Sequence, residues 1–397
     1  MRILLVRSMG IFLLKLYFLL IGMLGWVAVM GQHSWDRADG IRDDSQQWFE
    51  ADNPMFEYMG RIDQSDPKAP RFWNPGVVVR FRFGGPLCRI VLHDQVPDDK
   101  IHNWVLIFVG GELGVYRVKL RGQTDTITVW GNGRAWMDGE SLKSQVQTSS
   151  WSMKPDPHGN HLVTICKATE GIGWTGFEGV YTDALLPAPA LPDRKIEFIG
   201  NSITCGFGND SKDIPCGQGE WFDQSNAWMS YGPLTARALN AQWHLTAVSG
   251  IGLIHSCCGM TITMPEVFDR LDNRGNQGSW DFTRYQPDVV TVCLGQNDGI
   301  QDSATFCGAY VRFVAHLRQI YPAAQIVLLT SPMGNAELTL QLERYLPAVA
   351  AASHDARISS FYFSKQWTNG CSGHPDIKED LEISRELTGY LKGVMRW

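Results

Sequence analysis

Two regimes of hydrophobic patterning divide the chain. From Phe72 to about Tyr181, apolar side chains recur at every second position. Val79-Arg80-Phe81-Arg82-Phe83 alternates apolar and basic residues, as does Tyr116-Arg117-Val118-Lys119-Leu120, and Ile127-Thr128-Val129 continues the habit. Trp104–Val109 and Leu162–Cys166 are shorter, more apolar runs, and Gly84-Gly85, Gly110-Gly111 and Gly131-Asn132-Gly133 punctuate them. A period of two puts successive side chains on opposite faces of a strand. Many short strands with glycine turns and no helical period predict a β-sandwich of jelly-roll type.

The pattern changes after Ala184–Arg194, whose Pro187, Pro189 and Pro192 make it extended and stiff. Apolar strands then appear at Ile196–Ile199, Leu245–Val248, Val289–Leu294, Ile326–Thr330 and Ile358–Phe363, with helical segments between them. Phe306, Tyr310, Phe313, Val314 and Leu317 fall on one face of a helix, and Leu387, Leu391, Val394 and Met395 repeat that spacing near the end. Strands alternating with helices predict a parallel sheet covered on both faces. The expected class is α/β: a jelly-roll sandwich over 32–183, a linker over 184–194, and a three-layer α/β/α domain over 195–397.

The first 31 residues stand apart. Arg2, Arg7 and Lys15 precede the apolar stretch Leu16–Met30, and Val29 and Gly31 are small enough for cleavage after Gly31. Lys15 limits the apolar run to about 15 residues, short of the roughly 20 that span a bilayer. Residues 1–31 therefore read as a secretory signal peptide rather than a retained anchor. The expected location is secreted, periplasmic or cell-surface, with no membrane contact after cleavage. Cleavage takes three positive charges and no negative one, moving the formal net charge from −6 to −9. That balance argues against nucleic acid or an anionic membrane surface as partner. Nine cysteines are present. The odd count leaves at least one unpaired, and an exported protein permits disulfides. Cys205 and Cys216 flank the loop after Ser202 and are a candidate bridge, whereas Cys293 reads as a buried small hydrophobe.

In open parallel sheets, ligand sites lie beyond the carboxyl ends of the strands. There the chain carries Gly200-Asn201-Ser202, then Ser249-Gly250-Ile251-Gly252, then Gly295-Gln296-Asn297-Asp298 and, before the last helix, Gly373-His374-Pro375. A serine is a nucleophile whose proton a histidine can take. A glycine N–H and an asparagine amide can donate to an oxyanion. Gly250 and Gly252 both qualify as the glycine, and Gly250 is favoured. Asp298 reads as structural.

On these blocks the sequence resembles the SGNH (GDSL-type) hydrolases, over roughly 196–397. The string Glu197–Gly206, with a β-sandwich in front ending Gly176-Phe177-Glu178-Gly179, narrows the resemblance to carbohydrate esterase family 2. Members of that family remove O-acetyl groups from xylan, glucomannan and related polysaccharides. The resemblance implies catalytic Ser202 and His374, an oxyanion hole of Ser202, Gly250 and Asn297, no metal or organic cofactor, and an acetylated polysaccharide or oligosaccharide as substrate. A monomer is expected. The alternatives are a lipase- or thioesterase-like enzyme of the same superfamily, or a carbohydrate-binding protein whose hydrolytic site has decayed.

Two positions depart from the superfamily pattern. Asn201 stands where aspartate is usual, keeping a carbonyl acceptor without the charge. Cys371 stands three residues before His374, where the triad aspartate is common. Asp376, just after the histidine, reads as a helix N-cap with Glu379 completing a capping box. The expectation is a Ser–His dyad whose imidazole is oriented by a backbone carbonyl. Gly171-Ile-Gly173-Trp-Thr-Gly176 opens no helix and does not indicate a dinucleotide site. His255-Ser-Cys257-Cys258 lacks a second pair of metal ligands. Of the 15 tryptophans, Trp174, Trp221, Trp228 and Trp367 lie near motif segments and are candidates to stack on sugar rings.

Overall fold

A computed structural model of the chain describes residues 46–96, 101–110, 114–131, 134–135 and 160–397. The expected signal peptide lies outside the described residues. Ten strands form the antiparallel N-terminal sheet: β1 (Gln47–Glu50), β2 (Glu57–Met59), β3 (Arg71–Phe72), β4 (Val78–Asp94), β5 (Trp104–Val109), β6 (Gly114–Lys119), β7 (Thr124–Gly131), β8 (Arg134–Ala135), β9 (Asn160–Lys167) and β10 (Thr175–Leu186). The 17-residue β4 is the spine. Its first half pairs with β2 and β9, its second half with β7, and β10 follows it from Arg82 to Asp94. Gly85 sits between the halves at φ 116°, where a Cβ would strike the Asp183 side chain. The sheet thus folds into the β-sandwich expected from the alternation, with Phe72, Val79, Phe81, Phe83, Ile90 and Phe177 among its buried core.

The second sheet is parallel, in the order β12-β11-β13-β14-β15, with β11 (Arg194–Gly200), β12 (Ala241–Ala247), β13 (Val289–Cys293), β14 (Gln325–Leu329) and β15 (Ile358–Phe361). Its helices are α1 (Ser202–Cys205), α2 (Tyr231–Ala238), α3 (Met264–Val267), α4 (Ser303–Ile320), α5 (Ala336–Ala352) and α6 (Ile377–Met395). One face of the sheet packs on α4 and α5, where Phe306, Tyr310, Phe313, Val314 and Leu317 are all buried, as their spacing predicts. The other face meets α2 and α6 through Tyr231, Ile383, Leu387 and Leu391. Val394 departs from its expected place on the buried stripe and is exposed, while Met395 beside it packs against the core.

Between the sheets, β10 continues to Leu186, three residues into the stretch expected as linker. The connection is pinned at both ends. Pro189 O accepts from Arg80, and Pro192 O accepts from Gln242 Nε2 at 2.6 Å. Residues Gln46–Trp397 make one compact unit. Leu106 and Phe108 of β5 belong to the same buried cluster as Phe198, Leu245 and Trp243. The Phe108 and Trp228 rings lie 4.4 Å apart. Trp243 Nε1 donates to Gly76 O at 3.0 Å.

A buried ion pair crosses the same junction. Glu197 interrupts the apolar run of β11, and its side chain and that of Arg61 are both fully buried at 2.9 Å. Arg61 also donates to Arg270 O at 3.0 Å, and Thr246 Oγ1 donates to Glu197 at 2.6 Å. Removing one partner of such a pair strands a charge in the interior. Arg61→Met should therefore cost about 3–5 kcal/mol of stability by urea titration. A cost under about 1 kcal/mol would mean that Glu197 does not depend on the guanidinium.

Candidate functional site

The nucleophile candidate is set by a sharp strand-to-helix turn. β11 ends at Gly200, where a Cβ would lie 2.0 Å from Thr204 Oγ1, so only glycine fits. Asn201 caps α1, its side-chain oxygen accepting from Ile203 N at 3.1 Å. This is the acceptor role an aspartate would fill, performed without charge. Ser202 follows at the first position of α1 and is 7% exposed. Gly206 ends the turn in the left-handed conformation at φ 72°.

His374 reaches this serine from the other end of the chain. Its Nε2 lies 2.8 Å from Ser202 Oγ, and its Nδ1 lies 3.2 Å from Cys371 O. The second contact fixes the tautomer: Nδ1–H donates to the carbonyl, leaving Nε2 to accept from the hydroxyl. The carbonyl is held in turn. Cys371 N–H donates to Gly208 O at 2.8 Å, and Gly370 N–H donates to His374 O at 2.7 Å. Ser372 takes an unusual left-handed conformation at φ 55° to close the turn. Burial pushes the His374 pKa below its ordinary value, while the Cys371 and Ser372 carbonyls pull it partly back.

No carboxylate among the described residues hydrogen-bonds the imidazole. Asp376 faces away, into α6: its Oδ1 accepts from Glu379 N at 2.8 Å, and Glu379 Oε2 accepts from Asp376 N at 3.1 Å. Both halves of the expected capping box are present.

The disulfide expectation needs correction. Cys205 is free and buried, and Cys216 is bonded instead to Cys371, 155 residues away. Cys205 points into the core from α1, so it cannot meet the surface loop that carries Cys216. Cys293 is free and buried, as its strand position implies. Cys257 and Cys258 are bonded to one another. Among the described residues no three His, Cys, Asp or Glu side chains gather to hold a metal.

Gly250 and Asn297 sit beside one another. Gly250 is left-handed at φ 86°, and a Cβ there would lie 3.1 Å from Cys257 Sγ. Its carbonyl accepts from Cys257 N at 2.9 Å, while its N–H has no partner among the described residues. The rival Gly252 has its N–H engaged by Ser256 Oγ at 3.0 Å. Asn297 Nδ2 donates one proton to Ile251 O at 2.7 Å, which leaves its second N–H available. Asp298 braces the loop, accepting from the backbone N–H groups of Leu253, Ile254 and His255.

The four tryptophan candidates divide. Trp228 and Trp367 are 4% and 1% exposed and belong to the core. Trp221 is 47% exposed. It stacks on Phe207 at 6.0 Å, and the Phe207 ring meets the His374 ring edge-on at 4.7 Å. Phe207 is absent from the sequence reading, although its place one residue after Gly206 in the serine turn was a usable signal.

Residues 198–360 match the GDSL-like Lipase/Acylhydrolase family, and residues 58–137 match the Carbohydrate esterase 2 N-terminal family. The chain is 34% identical over 287 residues to an acetylxylan esterase / glucomannan deacetylase of Cellvibrio japonicus, covering 67% of this chain and 78% of that protein. It is 29% identical over 363 residues to the cellulase/esterase CelE of Acetivibrio thermocellus, covering 87% of this chain but 40% of that longer protein. The solved structure of a family two carbohydrate esterase from Cellvibrio japonicus aligns with a TM-score of 0.76 at 28% identity, over 89% of this chain and 98% of its own.

Proposed function

The chain belongs to carbohydrate esterase family 2, and on that premise we propose that it removes O-acetyl groups from plant polysaccharides such as xylan and glucomannan. The observation that carries the mechanism is the 2.8 Å contact between His374 Nε2 and Ser202 Oγ, with the other imidazole nitrogen on the Cys371 carbonyl. His374 takes the Ser202 proton as Oγ attacks the acetyl carbonyl. The oxyanion of the tetrahedral intermediate is held by the N–H groups of Ser202 and Gly250 and by Asn297 Nδ2. His374 then protonates the departing sugar hydroxyl, leaving an acetyl-serine. Water attacks that ester with its proton passing to Nε2, and acetate leaves as the proton returns to Ser202. The reading extends to the cell: a protein exported by residues 1–31, acting outside the cytoplasm as a monomer free of the membrane. No helix among the described residues is long and apolar enough to cross a bilayer. The domain limits 32–183 and 195–397 belong to the same reading, supported by the change of sheet between Leu186 and Arg194.

The test is acetate release by the full chain from acetylated xylan, acetylated glucomannan and a long-chain acyl ester, with Ser202→Ala as the blank. Release from the two polysaccharides is expected. Turnover of the long-chain ester alone would convert the reading to a lipase, and no release above the blank would sink it.

Two further outcomes follow from the geometry. The base must be neutral to accept a proton. Because burial lowers the His374 pKa, kcat/KM should hold as pH falls through 6.5, histidine's ordinary value, and decline only below it. A pH profile of kcat/KM measures this directly. Asp376→Ala should leave kcat in place and reduce stability by about 1 kcal/mol, the worth of an N-cap. A thousand-fold loss of kcat in folded Asp376→Ala protein would instead make Asp376 the missing triad acid.

A further inference from the structure

The turn that carries Gly250 is gripped by an ion pair that the proposed chemistry does not use. Glu170 lies between β9 and β10 of the sandwich, and Arg274 lies between α3 and β13 of the α/β layer. The Glu170 side chain is 6% exposed and that of Arg274 33%. Arg274 Nε donates to Glu170 Oε1, and Arg274 Nη2 donates to Glu170 Oε2 at 3.2 Å. Both partners also reach Ser249. Its N–H donates to Glu170 Oε2 at 3.2 Å, and its carbonyl accepts from Arg274 Nη2 at 3.0 Å.

Each arm of the pair is fixed on its own side. Ala168 O accepts from Ala227 N at 3.1 Å, and Lys167 Nζ donates to Thr169 O at 2.7 Å, so the chain entering Glu170 is tied down. Arg274 N donates to Asp272 Oδ1 at 3.0 Å. Gly171 sits at φ 80°, where a Cβ would lie 2.9 Å from Arg274 Nε. The first glycine of the Gly171-Ile-Gly173-Trp-Thr-Gly176 string thus makes room for the guanidinium.

Ser249 C=O and Gly250 N–H belong to one planar peptide. That peptide is trans, so the two groups point in opposite directions. A guanidinium that holds the oxygen therefore sets the direction of the N–H. A charged donor on the oxygen also polarises the amide and strengthens its N–H as a donor. Oxyanion donors are worth most when they are aimed before the reaction begins. We propose that Glu170 and Arg274 are positioning residues for the oxyanion hole, aiming and polarising the Gly250 N–H through Ser249. This rests on the reading of Gly250 as an oxyanion donor in a serine esterase. It gives the sandwich a part in turnover that needs no contact with the reacting atoms.

The test is steady-state hydrolysis of 4-nitrophenyl acetate, a probe that needs an oxyanion hole and no polysaccharide. The full chain is compared with Arg274→Met, with the double variant Glu170→Gln/Arg274→Met, and with Arg61→Met as a control. The double variant strands no buried charge, so it decides the question if Arg274→Met fails to fold. Its glutamine keeps an acceptor for Ser249 N–H. In each folded Arg274 variant kcat should fall by about 10- to 100-fold, with KM within about twofold of the parent. Arg61→Met breaks the other buried pair at the same junction and touches neither Ser249 nor Gly250; it should lower Tm and keep kcat. Unchanged kcat in the Arg274 variants would overturn the proposal, as would a raised KM at unchanged kcat, or an equal loss of kcat in Arg61→Met. Acetate release from acetylated xylan by the parent is scored separately. The expected kcat loss on the nitrophenyl ester, in a chain that releases nothing from xylan, supports the positioning role and removes the polysaccharide reading. Release from xylan with unchanged kcat in the Arg274 variants removes only the positioning role. A parent that hydrolyses neither substrate removes both.

Discussion

His374→Ala should lower kcat for acetate release by about 10⁴- to 10⁶-fold, Ser202→Ala should do the same, and the double variant should be no worse than either. In the proposed mechanism the two side chains act as one unit, the proton passing directly between Ser202 Oγ and His374 Nε2, which lie 2.8 Å apart. Without the imidazole, a serine hydroxyl remains a weak nucleophile at neutral pH. Without the hydroxyl, the imidazole has nothing to activate. The proposed oxyanion donors, Gly250 and Asn297, are kept in both variants, so on that mechanism some oxyanion stabilisation should persist. Steady-state kinetics on an acetylated oligosaccharide would measure this. Losses that multiply in the double variant would mean that the two residues serve separate steps.

The second large effect concerns the disulfide. Cys216→Ala should cost about 2–5 kcal/mol of stability, because the bond restricts an unfolded loop of 155 residues. It should also lower kcat by about 10- to 100-fold with little change in KM, the scale of a small misplacement near the reacting atoms. The reason is local. Cys371 does two jobs with one residue: its sulfur ties the turn to the loop after Ser202, and its carbonyl accepts from His374 Nδ1. A triad enzyme gives the second job to a charged side chain. Here the acceptor is backbone and can be no steadier than the turn that carries it. Denaturant unfolding and kinetics, each with and without reductant, test both halves. Full kcat with a lowered midpoint would mean that the hydrogen bonds from Cys371 N to Gly208 O and from Gly370 N to His374 O hold the turn unaided.

Most of the architecture was legible because it obeys a period. Alternation of two revealed the sandwich strands, and the Phe306–Leu317 stripe revealed a helix face. The proposed site of Ser202, Gly250, Asn297 and His374 was legible for another reason: a parallel sheet brings the ends of its strands to one edge, whatever the intervening loops do. What stayed hidden depends on distance in space without a sequence period. Cys216 is nearer in sequence to Cys205 than to Cys371, yet Cys205 is turned into the core. Trp221 and Trp228 lie seven residues apart with similar surroundings in sequence, yet one is exposed and stacked on Phe207 and the other is buried against Phe108. The contact of β5 with the α/β layer was equally hidden. The alternating pattern says that a face is apolar without saying what covers it.

That covered face has an evolutionary consequence. Because Leu106, Phe108 and Trp243 share one buried cluster, and Arg61 and Glu197 close an ion pair across the junction, the sandwich is no detachable cassette. Cutting between Leu186 and Arg194 would expose apolar surface on both pieces. Gene fusion and shuffling can therefore move residues 46–397 only as a whole. Within the longer CelE, the stretch resembling this chain is expected to have been inherited as one block.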